Sequence, residues 1–233
     1  MVTEHTVKAF DADLGELRAL IAEIGGRAEA AITDALQALV RRDLDAAARI
    51  VEEDRKIDAL EAEIEKQVVR LIALRAPMAD DLREVLAAMK IAGVVERMGD
   101  YAKNIAKRVP VLTEVGSIEP LAILPAMGRL VSEMVRNVLD AFAARDPQAA
   151  VTVCESDRAV DDFYNSLFRT LLTYMMEHPY NITASTHLLF IAKNLGRIGD
   201  HATNVAEMVY FAATGHPMAE RPRGQNPLQK EAR

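Results

Sequence analysis

Glu96-Arg97-Met98-Gly99-Asp100-Tyr101-Ala102-Lys103-Asn104 returns 100 residues later as Gly196-Arg197-Ile198-Gly199-Asp200-His201-Ala202-Thr203-Asn204. Upstream, Arg42-Asp43-Leu44-Asp45-Ala46-Ala47 is echoed by Arg145-Asp146-Pro147-Gln148-Ala149-Ala150, now 103 residues apart. At that same offset Asp54-Arg55 matches Asp157-Arg158, and Asp58 matches Asp161. The difference of three falls in and after the Pro77 and Pro179 turns, where changes of length are tolerated. The repeat divides the 233 residues into two related units, 1–116 and 117–215, with a tail over 216–233 that carries three prolines and no helical apolar repeat. Its period is far longer than the roughly 20 to 50 residues of solenoid repeats, so no open superhelix is implied.

Within each unit the pattern is helical. No proline occurs before Pro77, and the later prolines bound six long windows, at about 11–41, 43–75, 79–112, 124–143, 147–177 and 183–213. Apolar residues step by three and four along them, as in Leu14, Leu17, Ile21 and Ile24, or Phe163, Leu167, Leu171 and Met175. Asp43 and Asp146-Pro147 are N-cap signals, Thr183 is a candidate cap for the last window, and Gly215 before His216-Pro217 is a stop. Thirty-eight alanines, few aromatics (5%) and no tryptophan suit helices packed through small residues and argue against a β-sandwich or barrel. The fold class is all-α, a tandem repeat of two three-helix bundles made of six long antiparallel helices.

Charge and cysteine content narrow the function. Twenty-eight Lys and Arg against 35 Asp and Glu leave a net charge of −7, without the basic footprint of a duplex-binding protein, so nucleic acid is not an expected partner. The single cysteine, Cys154, excludes an internal disulfide and a Cys-rich zinc site and fits a reducing compartment. Neither a signal peptide nor a spanning helix is read in the sequence, and the expected localisation is cytoplasmic. No phosphate-cradling Gly-x-x-x-x-Gly-Lys loop, Gly-x-Ser-x-Gly elbow or Glu-x-x-His pair is present.

Chemistry is concentrated in acids. On a 100° helical wheel Glu96 and Asp100 continue the stripe set by Leu82, Leu86 and Met89, which predicts an inward position. Ionised carboxylates there need a compensating cation, either a metal ion or an arginine. Asp54 with Asp58, and Asp157 with Asp161, are further i, i+4 pairs beside the stripes of the second and fifth windows, and Asp200 repeats Asp100. Oxygen ligands from facing helices suit Mg, Mn or Fe. The alternative is ordinary salt bridging by Arg55, Arg97, Arg158 and Arg197, or a solvated edge. Gly99 and Gly199 read as points of close helix approach, Cys154 as a small packing residue.

The residues quoted, together with His5-Thr6, Phe10-Asp11 and Pro77-Met78-Ala79-Asp80-Asp81-Leu82-Arg83, resemble the PhoU phosphate-signalling family over about residues 4–213. The resemblance implies a cytoplasmic, non-enzymatic negative regulator of phosphate uptake and the phosphate-starvation response. It would be usually homodimeric, linking the ATPase subunit of a phosphate ABC transporter to a sensor histidine kinase, and would meet the membrane only through those partners. Some members bind metal clusters through acidic motifs, which fall here on Asp54 with Asp58, Glu96 with Asp100, and Asp157 with Asp161, with Fe, Mn, Mg or Zn as candidate ions. Gly196 stands where the second-half motif normally begins with an acid, leaving Asp200 without its i−4 partner. The competing readings are a multi-carboxylate helical-bundle enzyme or metal store, and a structural helical spacer.

Overall fold

A computed structural model of the chain describes residues 2–115 and 119–219, with side chains from residue 9 onward. Among the described residues seven α-helices follow one another: α1 (Val2–Arg41), α2 (Leu44–Arg75), α3 (Asp80–Ala106), the short α4 (Val109–Glu114), α5 (Leu124–Ala144), α6 (Pro147–Glu177) and α7 (Ile182–Thr214). Two 3₁₀ segments, Glu119–Ile123 and Pro179–Asn181, precede α5 and α7. Six of the seven helices are long, and they form the expected pair of three-helix bundles. The third window, read as continuous over 79–112, instead breaks at Lys107-Arg108, because Pro110 cannot continue α3 and sits in the first turn of α4. From residue 220 the expected tail lies outside the described residues.

Local chemistry sets the α1–α2 and α5–α6 turns alike. Arg42 and Arg145 adopt left-handed backbone (φ 58° and 53°), and the next amide bonds back across the helix end, Asp43 N to Ala38 O and Asp146 N to Ala141 O, each 2.9 Å. The aspartates then cap the following helix, Asp43 accepting from the Ala46 amide and Asp146 from the Gln148 and Ala149 amides. Gly215 ends α7 in the left-handed conformation, with its amide donating to Phe211 O. Thr183 is no cap; α7 starts after Asn181, which makes no side-chain capping bond.

The bundles α1–α2–α3 and α5–α6–α7 join along two antiparallel seams, α1 against α5 and α3 against α7. Helices α2 and α6 are outermost, each covering one inner pair. In the first seam a Cβ on Gly25 would lie 2.4 Å from Leu139 Cδ1, and one on Gly128 would lie 1.9 Å from Leu36 Cδ1. Gly25 and Gly128, like Leu36 and Leu139, are 103 residues apart, so the same glycine-to-leucine contact is made twice about an internal pseudo-twofold. In the second seam the equivalent residues Tyr101 and His201 stack on one another, with ring centroids 5.5 Å apart.

A buried carboxylate ties the seams together near one end. Glu84, only 2% exposed, receives Arg18 Nε of α1 at 2.6 Å on Oε1, while Arg145 from the α5–α6 turn lies 3.0 Å from Oε2. The clamp joins one half to the other, and the charge of Glu84 is answered from both sides.

The rotation of α3 differs from the wheel reading. Its buried face is Val85, Ala88, Ile91, Ala92, Val95, Met98, Gly99 and Ala102, nearly opposite the Leu82–Leu86–Met89 line, which is half-buried to exposed. The physical reason is that α3 packs on α1, α2 and α7 together. Three neighbouring helices bury a face on which Ile91, Val95 and Met98 alternate with alanines and Gly99, and Leu82, Leu86 and Met89 are left at the boundary.

A carboxylate cluster at the second and third helices of each half

Helices α2 and α3 meet at Gly99, where a Cβ would sit 2.8 Å from Ile57 Cδ1 and 3.6 Å from Asp54 Oδ1. The same construction recurs at Gly199, where a Cβ would be 3.4 Å from both Asp157 Oδ1 and Val160 Cγ1. In each half, therefore, a glycine on the third helix lets the second helix lay its first acid against the joint. Asp54 is buried there, with Asp58 exposed one turn on. From α3, Glu96 and Asp100 stand half-exposed on the facing boundary, not inward as the wheel predicts, because α3 turns the face through Ile91, Val95 and Met98 to the core.

The cation that answers them is Lys103. Its ammonium donates to Asp54 Oδ2 and to Asp100 Oδ1. Burial alone would lower the lysine pKa, but hydrogen bonds to Asp100 and Asp54 and the charges of both outweigh it and raise it well above the ordinary lysine range. Partial desolvation, reinforced by the Asp54 charge and opposed by Lys103, pushes the exposed Asp58 up. Glu96 is raised too, by burial first, then by Asp100, Asp58, Glu61 and Asp54. A single ammonium thus lies among five acids that feel one another, and the patch carries excess negative charge.

The second half is built differently. Asp157 is half-buried, whereas Asp161 and Asp200 are exposed. Partial desolvation by its neighbours and the charges of Asp200 and Asp162 raise Asp161 against the pull of Lys193. Thr203 replaces the lysine, buried, with its hydroxyl donating to the Asp200 carbonyl at 2.7 Å. Gly196 replaces the glutamate.

The structure brings Asp54, Asp58, Glu96 and Asp100 together, and separately sets Asp157 near Asp161 and Asp200. The all-oxygen donor set suits a hard cation. In this arrangement, however, Lys103 holds the place between Asp54 and Asp100, and among the described residues no three Asp, Glu, His or Cys side chains are arranged to hold a metal ion. Two participants escaped the sequence reading. Lys103 lies at i+3 from Asp100, an ordinary helix-surface spacing, and Glu61 falls outside the i, i+4 pairs; the repeat itself, which puts Thr203 opposite Lys103, was the available signal.

Beside the cluster, His201 is packed against Tyr101 on the α3–α7 seam with Nδ1 buried and unbonded. Burial, then the Arg97 charge, depress its pKa, Asp200 opposing.

The sequence matches the PhoU domain twice, over residues 21–109 and 124–209. The chain belongs to the PhoU family. It is 64% identical over 227 residues, covering 97% of this chain and 96% of the relative, to a Zymomonas mobilis protein named phosphate-specific transport system accessory protein PhoU homolog. A Caulobacter vibrioides protein of the same name is 48% identical, with 95% of this chain and 97% of the relative covered. Among solved structures, the crystal structure of PhoU from Pseudomonas aeruginosa superposes with a TM-score of 0.85 at 36% identity, over 89% of this chain and 100% of that one. The phosphate transport system regulatory protein PhoU from Streptococcus pneumoniae has a TM-score of 0.84 at 30% identity, over 91% and 100%. The two PhoU matches fall on the two bundles, one on each.

Proposed function

We propose that this chain is a non-enzymatic regulator of phosphate uptake, an adaptor that couples a phosphate ABC transporter, through its ATPase subunit, to a sensor histidine kinase and holds the starvation response off when phosphate is plentiful. The observation that carries the reading is the near full-length match to relatives named as accessory proteins of phosphate-specific transport. Among the described residues no helix is long and apolar enough to cross a membrane. Contact with the membrane is through those partners. The adaptor acts in the cytoplasm as a homodimer.

Its test is genetic. Deleting the gene and assaying alkaline phosphatase in phosphate-rich medium is expected to show derepression, reversed by the wild-type gene; unchanged repression would sink the reading. Binding of the purified chain to the transporter ATPase subunit and to the kinase distinguishes an adaptor from a regulator acting at one of them.

A metal ion enters this proposal in a limited way. The first-half acids would take a hard or borderline divalent ion, Fe, Mn, Mg or Zn, only with Lys103 turned aside, and the ion would supply charge neutralisation. The second-half set, Asp157, Asp161 and Asp200, has no lysine at that position but one acid fewer. Elemental analysis of protein purified without chelator measures the occupancy of each.

A further inference from the structure

Arg108 is a cation that the fold leaves without an acid. It stands half-buried just past the end of α3, and among the described residues no carboxylate pairs with it; burial lowers its pKa with no acid opposing. Its Nε is buried and unbonded, its Cζ lies 4.4 Å from the centroid of the Phe190 ring, and its Nη1 reaches Nδ1 of His187 at 3.0 Å. A guanidinium can only donate, so Nδ1 is the acceptor in that contact and the neutral ring carries its proton on Nε2. His187, also half-buried, is held below the ordinary histidine range by burial and then by Arg108, the one charge that acts on it among the described residues.

Packing does not require this arrangement. The repeat sets Met208 at the place of Arg108, and Ala87 and Lys90 at those of His187 and Phe190. Met208 packs against the core and Ala87 is buried, so the matched part of the fold is completed without a desolvated guanidinium. Desolvating that cation against an imidazole costs free energy, which an anion at the same place would offset.

The surroundings narrow the kind of anion. Phe190 covers one face of the guanidinium, and Nε is enclosed, so a ligand meets the Nη1–Nη2 end, towards which Nδ1 of His187 also points. An oxyanion there accepts from Nη1, and from Nδ1 once the ring takes up a proton, because its charge removes the repulsion that keeps the ring neutral. A tetrahedral oxyanion offers a separate oxygen to each group and leaves the others in water.

We propose that Arg108 and His187 form a binding site for free inorganic phosphate, which bridges the two side chains. This rests on the regulatory reading above for the identity of the anion, and it gives that regulator a phosphate ligand of its own.

Nuclear magnetic resonance of the full chain follows the His187 ring. Millimolar phosphate is expected to shift its signals saturably and to raise its titration midpoint, whereas chloride at equal ionic strength does neither. Arg108→Met, which places here the residue of the matched position, is expected to melt no lower than wild type and to weaken phosphate binding at least about tenfold in equilibrium dialysis. His187→Gln is expected to weaken it as well, by a smaller factor. A His187 ring that ignores phosphate, or answers chloride equally, overturns the site, as does binding that survives both substitutions. An equal response to acetate would make this a seat for a carboxylate and overturn the phosphate assignment. Derepression on deleting the gene, together with a silent His187, overturns the site and leaves the regulatory reading standing; unchanged repression with phosphate bound does the reverse.

Discussion

Lys103 decides the character of the acidic cluster at the scale of a single residue. Asp54 is buried and, with Asp100, shares one ammonium, so removing that charge strands a carboxylate in the α2–α3 joint. Lys103→Met is expected to lose about 1–3 kcal/mol in urea unfolding. Millimolar Mn²⁺ is expected to recover part of it in the variant and to change the wild type less; a variant blind to divalent ions would count against metal binding at these acids. Glu96 responds to pH in the opposite sense to a salt-bridged carboxylate. Burial and the neighbouring acids raise its pKa above the ordinary 4.5. Its contribution is then fully present below the ordinary carboxylate range and lost as pH rises through the raised value. Glu96→Gln is therefore expected to melt at a higher temperature than wild type at neutral pH, with the gain gone by about pH 4.

At the scale of the element, helix lengths and ends follow from local chemistry, while helix faces do not. The Asp43 and Asp146 caps and the Gly215 stop are legible because each bond lies within a few residues of its donor. The inward face of α3 is misread from Leu82, Leu86 and Met89, since a wheel centred on one apolar line does not show that the face through Ile91, Val95 and Met98 is the one three other helices meet. The glycine contacts between α1 and α5 were equally hidden, because Gly25 and Gly128 mark close approach only once a partner helix is known. Gly128→Ala is expected to cost about 1–3 kcal/mol, because Leu36 must leave its place. In a Leu36→Ala background that cost is expected to shrink; strictly additive losses would show that the contact does not set the seam. Gly15→Ala, where nothing lies within 4 Å of the new Cβ, is expected to be neutral or stabilising in the same thermal melts.

For the whole molecule, the two halves are joined along two seams and clamped at Glu84, so each bundle depends on the other for part of its buried surface. The first half expressed alone, residues 1–116, would expose the faces of α1 and α3 that α5 and α7 cover. It is expected to self-associate or to bind a hydrophobic dye, and a well-behaved monomer with a sharp melt would refute that dependence. The amino-acid sequence by itself determined that there are six long helices in two related sets, where four of the turns fall, and which acids recur at matched positions. All of these are read from spacing along one chain, and a repeat reports its own register. Only the tertiary structure decided which side of α3 faces inward, that Lys103 and not an arginine answers Asp54, and that Gly25 and Gly128 make one contact twice. Each of these depends on which residue of a distant helix arrives at a given point, and that is set by packing three helices into one volume rather than by any interval in the sequence.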